Sequence, residues 1–370
     1  MTIVFFCHSL RSDWNNGHVH FLRGIASELQ RRGHVVRVYE RSDAWSATCL
    51  ADEAGPQALD SYRAAYPALA PTVYEPDALD LDDALDAADL VIVHEWNDPA
   101  LVHGVGRLRA RGGSFTLLFH DMHHRSASDA AGIGALDLSG YDGVLAFGET
   151  VRERFVAHGW ARRAWTWHEA ADTHVFDPHD VPDAGREDLV WIGNWGDDER
   201  TSELHEYLLR PAAALGLHGH VHGVRYPDAG RRAIAAAGLS FAGRVPNHAV
   251  PAAYARHRVT VHVPRAPYVA ALPGIPTIRV FEALACGIPL VCAPWDDTEG
   301  LFSAGDDYLL ARDGREMTRH LEAVIHDADL AHHLRAHGLA TIADRHTCRH
   351  RVDELLCIVE HIRTPAAVSA

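Results

Sequence analysis

Short apolar runs alternate with amphipathic segments along most of the 370-residue chain. At the start, the apolar runs 3–7 and 35–39 flank a segment whose apolar residues recur every three or four positions. This order predicts a strand, a helix and a second strand, as in a parallel, doubly wound sheet. The polar loop 8–17 between the first strand and the helix lacks a Gly-x-Gly-x-x-Gly pattern, so a nicotinamide dinucleotide is not indicated.

The same alternation predicts two series of elements. Residues 43–86 are weakly periodic and indicate only one or two short helices, and 168–186 resemble a linker in their acidic, Pro and Gly content. Further strands of the first series are predicted at 89–94, 114–120, 141–147 and 164–167, with helices at 99–111 and 149–159. The second series has strands at 189–192, 217–224, 239–241, 259–263 and 290–292, and helices at 202–215, 229–237, 249–256 and 278–286. The tail is predicted helical from 314 to about 362, with breaks near Asp327 and His346.

The pattern therefore predicts an α/β chain with two Rossmann-like parallel-sheet domains in tandem. We expect a first domain at 1–170, a linker at 171–186, a second domain at 187–345 and a final helical segment at 346–370. Ligands of such sheets lie at the carboxyl ends of the strands, so a cleft between the two domains is the expected site.

Composition narrows the function. The hydrophobic content of 47% and the charged content of 23% are those of a globular protein, and the net charge of -16 argues against nucleic acid or an anionic membrane as a partner. The chain contains no lysine. A P-loop lysine and a Schiff-base lysine are therefore excluded, and arginine must supply every permanent side-chain cation.

The six cysteines are scattered without a Cys-x-x-Cys motif, which favours buried reduced thiols over disulfides or a zinc site. The amino end carries no basic segment followed by an apolar run of signal length, and no run approaches membrane-spanning length. We therefore expect a cytoplasmic protein without a transmembrane segment.

The stretch 272–291 contains the most informative motif of the second series. Pro273, Gly274 and Pro276 predict a rigid turn, and Thr277 is placed to cap the helix that follows. An exposed helix start after such a turn can hold an anion, and Arg279 and Glu282 lie three residues apart on that helix. Two interpretations are open: both side chains serve one ligand, or they form a surface ion pair on an ordinary helix.

Two loops of the first series carry candidate chemistry. Gly17 opens a helix, so its backbone could approach a substrate closely, whereas His20 is interpreted as a solvated surface residue and His18 is a weaker candidate for contact. His120 and Asp121 follow a strand directly and are suited to contact sugar hydroxyls or developing charge. The neighbouring histidines of this loop lack a distant acidic partner, so no metal ligand is assigned.

The loop after the strand 189–192 is a candidate phosphate cradle. Gly193 and Gly196 free its backbone, Asn194 lies between them, and Arg200 can neutralise a phosphate. The alternative is a simple turn.

Two further strand ends face the same edge of the predicted sheet. Arg244 and Val245 follow the strand at 239–241, and Arg265 and Tyr268 follow the strand at 259–263. Three alternating histidines share one face of another strand, but the chain has 28 histidines and we assign these no function: His218, His220 and His222.

These motifs, taken in order, resemble glycosyltransferases of the GT-B fold, and in particular the CgeB-like members of the retaining group. The resemblance is carried by Gly-His-x-Val near Gly33, His-Asp at His120, Trp-Ile-Gly-Asn with Arg200, Phe-Ala-Gly-Arg-Val, Arg-x-Phe-Glu-Ala-Leu-Ala-Cys-Gly, and His346-Thr347 with Arg351. It is strongest from Leu189 onward and weakest across 43–86.

The resemblance implies a metal-independent transfer of a sugar from a nucleotide-diphosphate sugar to an acceptor nucleophile, with no cofactor. It implies that Glu282 holds the ribose, that Arg200 and Arg279 hold the diphosphate with the helix start after Gly274, and that Arg244–Val245 meets the base. The amino-terminal domain would present an unknown acceptor, a metabolite or a glycan, near Gly17 and His120. The final helix would cross back onto that domain.

One position departs from the family. Many retaining members carry a glutamate eight residues before Glu282, where this chain has Gly274, so a contact to the donor sugar is missing or supplied from elsewhere. Two other functions remain open: a sugar-nucleotide epimerase or hydrolase of the same fold, and a non-catalytic sugar-nucleotide-binding partner. A homodimer is compatible with the sequence.

Overall fold

The computed structural model describes residues 1–197 and 199–364. The chain divides into two compact units. The first comprises Met1–Glu169 together with the segment that begins at Cys348, and the second is Ala170–Thr347. Residues 171–186, predicted as a linker, fall inside the second unit, where a backbone bridge joins Ala171 to Thr347.

The first unit contains seven strands in one sheet. They are β1 (Thr2–Cys7), β2 (Val35–Arg41), β3 (Thr72–Tyr74), β4 (Leu90–His94), β5 (Thr116–Asp121), β6 (Gly143–Ala146) and β7 (Ala164–Thr166). The helices up to β7 are α1 (Val19–Arg31), α2 (Trp45–Ala54), α3 (Leu81–Ala84), α4 (Pro99–Ala110), α5 (Arg125–Ser128), α6 (Ala130–Gly134) and α7 (Glu149–Ala157), with a 3-10 segment at Pro56–Ala64.

The sheet is parallel throughout, with the strand order β3-β2-β1-β4-β5-β6-β7. β4 and β5 are buried along their whole length, which explains why they read as continuous apolar runs rather than as alternating ones. The connection reverses direction between β1 and β4. This is the switch point at which doubly wound sheets hold their ligands.

The weakly periodic segment 43–86 was predicted to contain one or two short helices, and this was incomplete. It contains α2, the 3-10 segment and α3, but also β3, an edge strand of three residues paired with β2. Two of the three β3 residues are exposed, so no apolar run marks the strand.

The second unit contains six strands. They are β8 (Glu187–Ile192), β9 (Gly219–His222), β10 (Ser240–Gly243), β11 (His257–His262), β12 (Leu290–Cys292) and β13 (Leu309–Leu310). Its helices are α8 (Thr201–Leu204), α9 (Arg210–Leu215), α10 (Asp228–Ala236), α11 (Val250–Ala255), α12 (Ala266–Ala271), α13 (Ile278–Ala285), α14 (Gly314–His326) and α15 (Ala328–Arg345). A π-helical turn, His205–Leu209, joins α8 to α9, and short 3-10 turns lie at Asp183–Gly185 and Asn247–Ala249.

The second sheet repeats the winding of the first. Its strands are parallel in the order β10-β9-β8-β11-β12-β13, with the switch point between β8 and β11. The predicted fold, two Rossmann-like parallel-sheet units, is therefore confirmed.

The tail contains two breaks, as predicted. Asp327 ends α14 and caps α15, because its carboxylate accepts hydrogen bonds from the N–H groups of Asp329 and Leu330. After His346 the chain enters α16 (Cys348–Arg363), which belongs to the first unit and packs against α1 and β5. The buried residues Val352, Leu355 and Val359 lie on one face of α16, spaced as in an amphipathic helix.

The burial of the cysteines and of His20 was predicted from the sequence with different success. All six cysteines are free thiols, four of them buried, as expected for reduced residues packed as small apolar groups. His20, interpreted as a surface residue, is completely buried in α1. No helix among the described residues combines the length and the apolar character needed to cross a membrane.

Candidate functional site

Arg200 lies at the carboxyl edge of the second sheet and ties a loop to a neighbouring strand end. Its guanidinium donates to the carbonyl oxygens of Val263, at 2.8 Å, and Asn194, at 2.6 Å, and also to the Asn194 side chain at 2.8 Å. The same group lies 5.1 Å from the Trp191 ring centroid. Much of the guanidinium is therefore engaged by the protein, which fixes the shape of the loop that follows β8.

Glycines shape this loop around the arginine. Gly196 has φ +92°, and a Cβ atom there would lie 2.9 Å from Arg200 Nε, so a larger residue would meet both backbone strain and a collision. A Cβ atom on Gly193 would lie 3.4 Å from the Arg200 guanidinium. The glycines of this loop thus leave space for the Arg200 side chain.

Positive charge converges at this edge of the sheet. Burial lowers the pKa of Arg200 to about 10, and the charges of Arg265 and Arg279 act in the same direction. Three guanidinium groups are therefore close enough to repel one another, which is unfavourable unless an anion compensates them. Acidic partners compensate in part, because Arg265 lies 3.4 Å from Glu199 and 4.0 Å from Asp197.

Arg279 and Glu282 form an ion pair, but not the exposed one that the sequence left open. Glu282 is completely buried in α13, and Arg279 is partly exposed. The other carboxylate oxygen of Glu282 accepts a hydrogen bond from the Asn247 side chain at 2.9 Å. Asn247 was not singled out from the sequence, because one asparagine after a proline does not indicate a functional residue.

The start of α13 differs from the expected capping arrangement. Thr277 occupies the N-cap position, but its side chain does not cap the helix, so the predicted capping bond was wrong. Its hydroxyl instead lies 3.0 Å from Nε2 of His262, the last residue of β11. Burial, assisted by the charge of Arg200, lowers the pKa of His262 to about 3, so this ring is neutral at physiological pH.

Gly274 accommodates side chains from a later loop. Its φ is +85°, and a Cβ atom there would lie 2.7 Å from Thr298 Oγ1 and 2.6 Å from Glu299 Cγ. Its N–H donates to the Asp296 carbonyl oxygen at 2.5 Å. No side chain fits at this position, and the carboxyl side chain of Glu299 lies beside it.

The remaining predicted residues of the second unit follow neighbouring strands. Arg244 and Val245 come directly after β10, which ends at Gly243 with φ +70°. Tyr268 is buried in α12, a short helix that starts after Arg265 and was not predicted.

His120 lies inside the first unit. It is completely buried, with ring centroids 4.6 Å from His94, 4.8 Å from Trp167 and 6.0 Å from Phe21. Burial lowers the pKa of His120 well below its usual value, and neither of its ring nitrogens has a hydrogen-bond partner among the described residues. The ring is therefore a neutral group in an aromatic environment.

Two buried carboxyl groups lie at the ends of β4 and β5. Burial raises the pKa of Asp121 to about 6 and raises that of Glu95 well above its usual value. The two groups interact, although neither Glu95 oxygen reaches full hydrogen-bond geometry. Asp121 is the last residue of β5 and Glu95 directly follows β4, so the strand-end rule applied to β4 would have identified Glu95.

His18 stands at the start of α1, directly after Gly17. Its Nδ1 lies 2.6 Å from the buried carboxylate of Glu169, and its ring centroid lies 5.7 Å from that of His123. Within the first unit, the predicted residues His18 and Asp121 thus lie among further titratable groups that the sequence did not reveal.

Several residues at the carboxyl edge of the second sheet lie in a region that matches a known protein family. Residues 200–357 match a family model described as glycosyl transferase-like. The matched region spans less than half of the chain. It includes Arg200, Arg265, Arg279 and Glu282, whereas a comparison with curated protein sequences finds no match to the chain.

Solved structures show the same fold over almost the whole chain. A glycosyltransferase from Rickettsia africae is 11% identical, with a TM-score of 0.68 over 99% of both chains. HepE from Anabaena, in complex with UDP and glucose, is 15% identical, with a TM-score of 0.67 over 97% of this chain and 99% of that one. An α-glucosyltransferase in complex with UDP and a 13-mer DNA is 13% identical, with a TM-score of 0.69 over 97% and 99%.

These comparisons confirm the predicted GT-B architecture and, together with the family match, the predicted enzyme class, glycosyltransferase. The roles of the individual site residues are a separate matter and stay predictions.

Proposed function

We propose that this glycosyltransferase takes its sugar from a UDP-sugar and needs no metal ion for the transfer. The observation that carries the proposal is the convergence of Arg200, Arg265 and Arg279 at the switch point of the second sheet. The solved structures of HepE and of the α-glucosyltransferase contain UDP, which supports uridine as the base.

The chemistry explains why such a cluster matters. When the sugar leaves, negative charge develops on the diphosphate, and a catalyst gains most by stabilising that charge. Three guanidinium groups would supply the stabilisation that a divalent cation provides elsewhere. Losing one donor of this kind costs on the order of a hundredfold in rate.

Arg265 is the member of the cluster that can most easily change partners. Arg200 is held by carbonyl groups and Arg279 by Glu282, whereas Arg265 contacts Glu199 and Asp197 at longer distances. Ion pairs between partly exposed side chains contribute about 0–1 kcal/mol, so a diphosphate can displace these acids at small cost. We expect Arg265 to turn from them to the donor.

The start of α13 offers a second group of donors. Because the Thr277 hydroxyl is directed to His262, the first N–H groups of the helix have no side-chain cap. The helix dipole favours an anion there.

Glu299 is our candidate for the donor-sugar contact that the family places at position 274. Its side chain lies where a residue larger than Gly274 would extend, so a carboxyl group is present near that point although it comes from a different loop. A carboxylate accepts hydrogen bonds from sugar hydroxyls in a defined geometry. Glu282 would hold the ribose, and Arg244–Val245 the base, as the resemblance implies.

On the first unit, we propose that His18 and Asp121 contact the acceptor. Asp121 lies at the carboxyl edge of the sheet and His18 lies at the start of α1, and ligands of such sheets bind in this region. Retention of configuration, membership of the CgeB-like group and a cytoplasmic location are part of the same proposal.

The test begins with binding. UDP, GDP, dTDP and ADP are compared by thermal shift and calorimetry without divalent cations and with a chelator present. We expect UDP to raise the melting temperature most, since a ligand stabilises the state it binds. Arg265→Gln should weaken UDP binding, while Arg319→Gln, which removes an arginine whose side chain is 68% exposed in the same unit, should not.

The sugar contact is tested separately. Glu299→Gln should leave UDP affinity unchanged and lower turnover or alter the preference among UDP-sugars. Equal UDP affinity in Arg265→Gln and the parent, or strict dependence of donor binding on a divalent ion, would contradict the proposal.

A further inference from the structure

A second cluster of polar side chains lies at the opposite edge of the second sheet, away from the carboxyl ends. Its members are Glu187, the first residue of β8, His220 in β9 and His257, the first residue of β11. The three strands are neighbours in the order β9-β8-β11. From the geometry of this cluster we propose that it is a zinc site, separate from the transfer chemistry.

The distances match those of a tetrahedral ion. His220 Nδ1 lies 3.0 Å from a Glu187 oxygen and 3.2 Å from His257 Nε2, and that Nε2 lies 3.9 Å from the same carboxylate. Zinc binds imidazole and carboxylate at about 2.0–2.2 Å, so two ligand atoms on a tetrahedral ion lie about 3.3 Å apart. The three observed separations lie on both sides of this value.

The hydrogen-bond pattern fixes which nitrogen of His257 can bind a metal ion. His257 Nδ1 lies 2.7 Å from the Ala253 carbonyl oxygen, which can only accept, so Nδ1 carries the proton. With the proton on Nδ1, the Nε2 atom of the neutral ring can offer its lone pair to the cluster, 3.2 Å from His220 Nδ1.

Within the cluster, one N–H group at most is available for two acceptors. The Glu187 carboxylate and His257 Nε2 are both acceptors, and His220 Nδ1 can offer one N–H to the two of them. A divalent cation at the centre would be bound by all three. Two imidazoles and a carboxylate, with a fourth position for water, form a ligand set that zinc prefers.

The supporting shell holds the ligands in place. The Ala253 carbonyl fixes the orientation of His257, as outer-shell partners of metal-bound histidines do. Glu187 and His257 are paired positions of adjacent strands, and the Glu187 N–H donates to the Arg256 carbonyl oxygen at 2.8 Å. Bound zinc would clamp the starts of three strands together, without a role in sugar transfer.

The experiment uses the untagged, full-length protein after treatment with a chelator. Zinc is titrated against a competing chelator of known affinity, and cobalt is added in parallel, because tetrahedral cobalt absorbs strongly in visible light. We expect one tight site per chain, a higher melting temperature with zinc, and intense cobalt absorption. His220→Gln should weaken zinc binding at least tenfold, since even outer-shell changes cost 10–100-fold.

A second histidine cluster provides the matched control. Asp306, His333 and His337 are the other group of three potential ligands among the described residues. His333→Gln should leave the tight site and the cobalt spectrum intact. Glu187→Gln, a change at a side chain that is 46% exposed, repeats the test if His220→Gln folds poorly.

Three results would overturn the proposal: no tight zinc, tight zinc that His333→Gln abolishes, or weak cobalt absorption typical of octahedral coordination. UDP binding and transfer are measured on the zinc-free protein as well. Their persistence is expected here, so failure of the zinc site and failure of the proposed transferase function give different results.

Discussion

At the residue scale, the pair Glu95 and Asp121 shows how burial alters acid–base behaviour. Water no longer stabilises the charged form of either group, so both pKa values rise. The pKa of Asp121 rises to about 6, so its charge changes within a range of pH that an assay can cover.

This leads to a prediction about pH. Below pH 6 an increasing fraction of Asp121 is protonated and loses the stronger, charge-assisted hydrogen bond from an acceptor hydroxyl, so the acceptor KM should rise by up to about tenfold per pH unit. Above pH 7 the carboxylate is charged and KM should be constant. The measurement is acceptor KM between pH 5 and 8 at saturating donor, with an acceptor found by product screening.

Two variants check the assignment. Asp121→Asn should raise acceptor KM and remove its pH dependence near 6. Glu95→Gln should retain a midpoint near 6, because an amide can donate to Asp121 as the protonated carboxyl group does. If Asp121→Asn keeps the parental pH profile, another group is responsible.

The sequence predicted which residues belong to the site better than it predicted the hydrogen-bond partners of those residues. Arg279 and Glu282 were recognised as a pair from their spacing, but the Asn247 that completes the contact comes from a distant turn. Thr277 was expected to cap its helix because threonine often does so, yet a buried histidine competes for the hydroxyl. Tertiary contacts of this kind have no local signature.

At the element scale, close approach between strands makes particular glycines essential. Gly219 starts β9, and a Cβ atom there would lie 1.8 Å from the Leu189 carbonyl oxygen of β8. The clashing atom belongs to the backbone of β8, so it cannot rotate away as a side chain could.

We therefore predict that Gly219→Ala destabilises the second unit by about 1–3 kcal/mol or more, as overpacking of a tight interior does. The free energy of unfolding is measured by urea denaturation. Gly185→Ala is the matched control, since a Cβ atom at Gly185 has no neighbouring atom within 4 Å. Equal losses in the two variants would show that contact with β8 is not the cause.

Elements were predictable where burial produced a pattern. The fully buried strands β4, β5 and β12 read as apolar runs, and α14 to α16 followed the predicted breaks. The missed elements were β3 and β13, of three and two residues, and the helices α5, α6 and α12, of four to six residues. Segments this short contain less than two full periods of any pattern.

At the scale of the whole molecule, the net charge of the chain bears on whether DNA can be a partner. A relative with the same fold was solved with a DNA 13-mer, whereas this chain carries 50 acidic residues against 34 basic ones. Phosphate contacts require clustered cations on the surface, and a net charge of -16 repels the duplex as a whole.

We predict that a 13-base-pair duplex binds more weakly than about 100 µM at 150 mM salt, the weak limit of non-specific binding. Fluorescence anisotropy of a labelled duplex measures this directly. Micromolar affinity that falls steeply with salt would refute the prediction and would make a nucleic-acid acceptor worth testing.

The discontinuous first unit affects the order in which the protein can fold during synthesis. Its α1 and α16 are in contact, although more than 300 residues separate them along the chain, and the whole second unit is encoded between them. A ribosome that adds roughly 5–20 residues per second completes Ala170–Thr347 before α16 emerges. The second unit can therefore finish folding on the nascent chain, while the α1 surface stays open to chaperones until α16 has been synthesised.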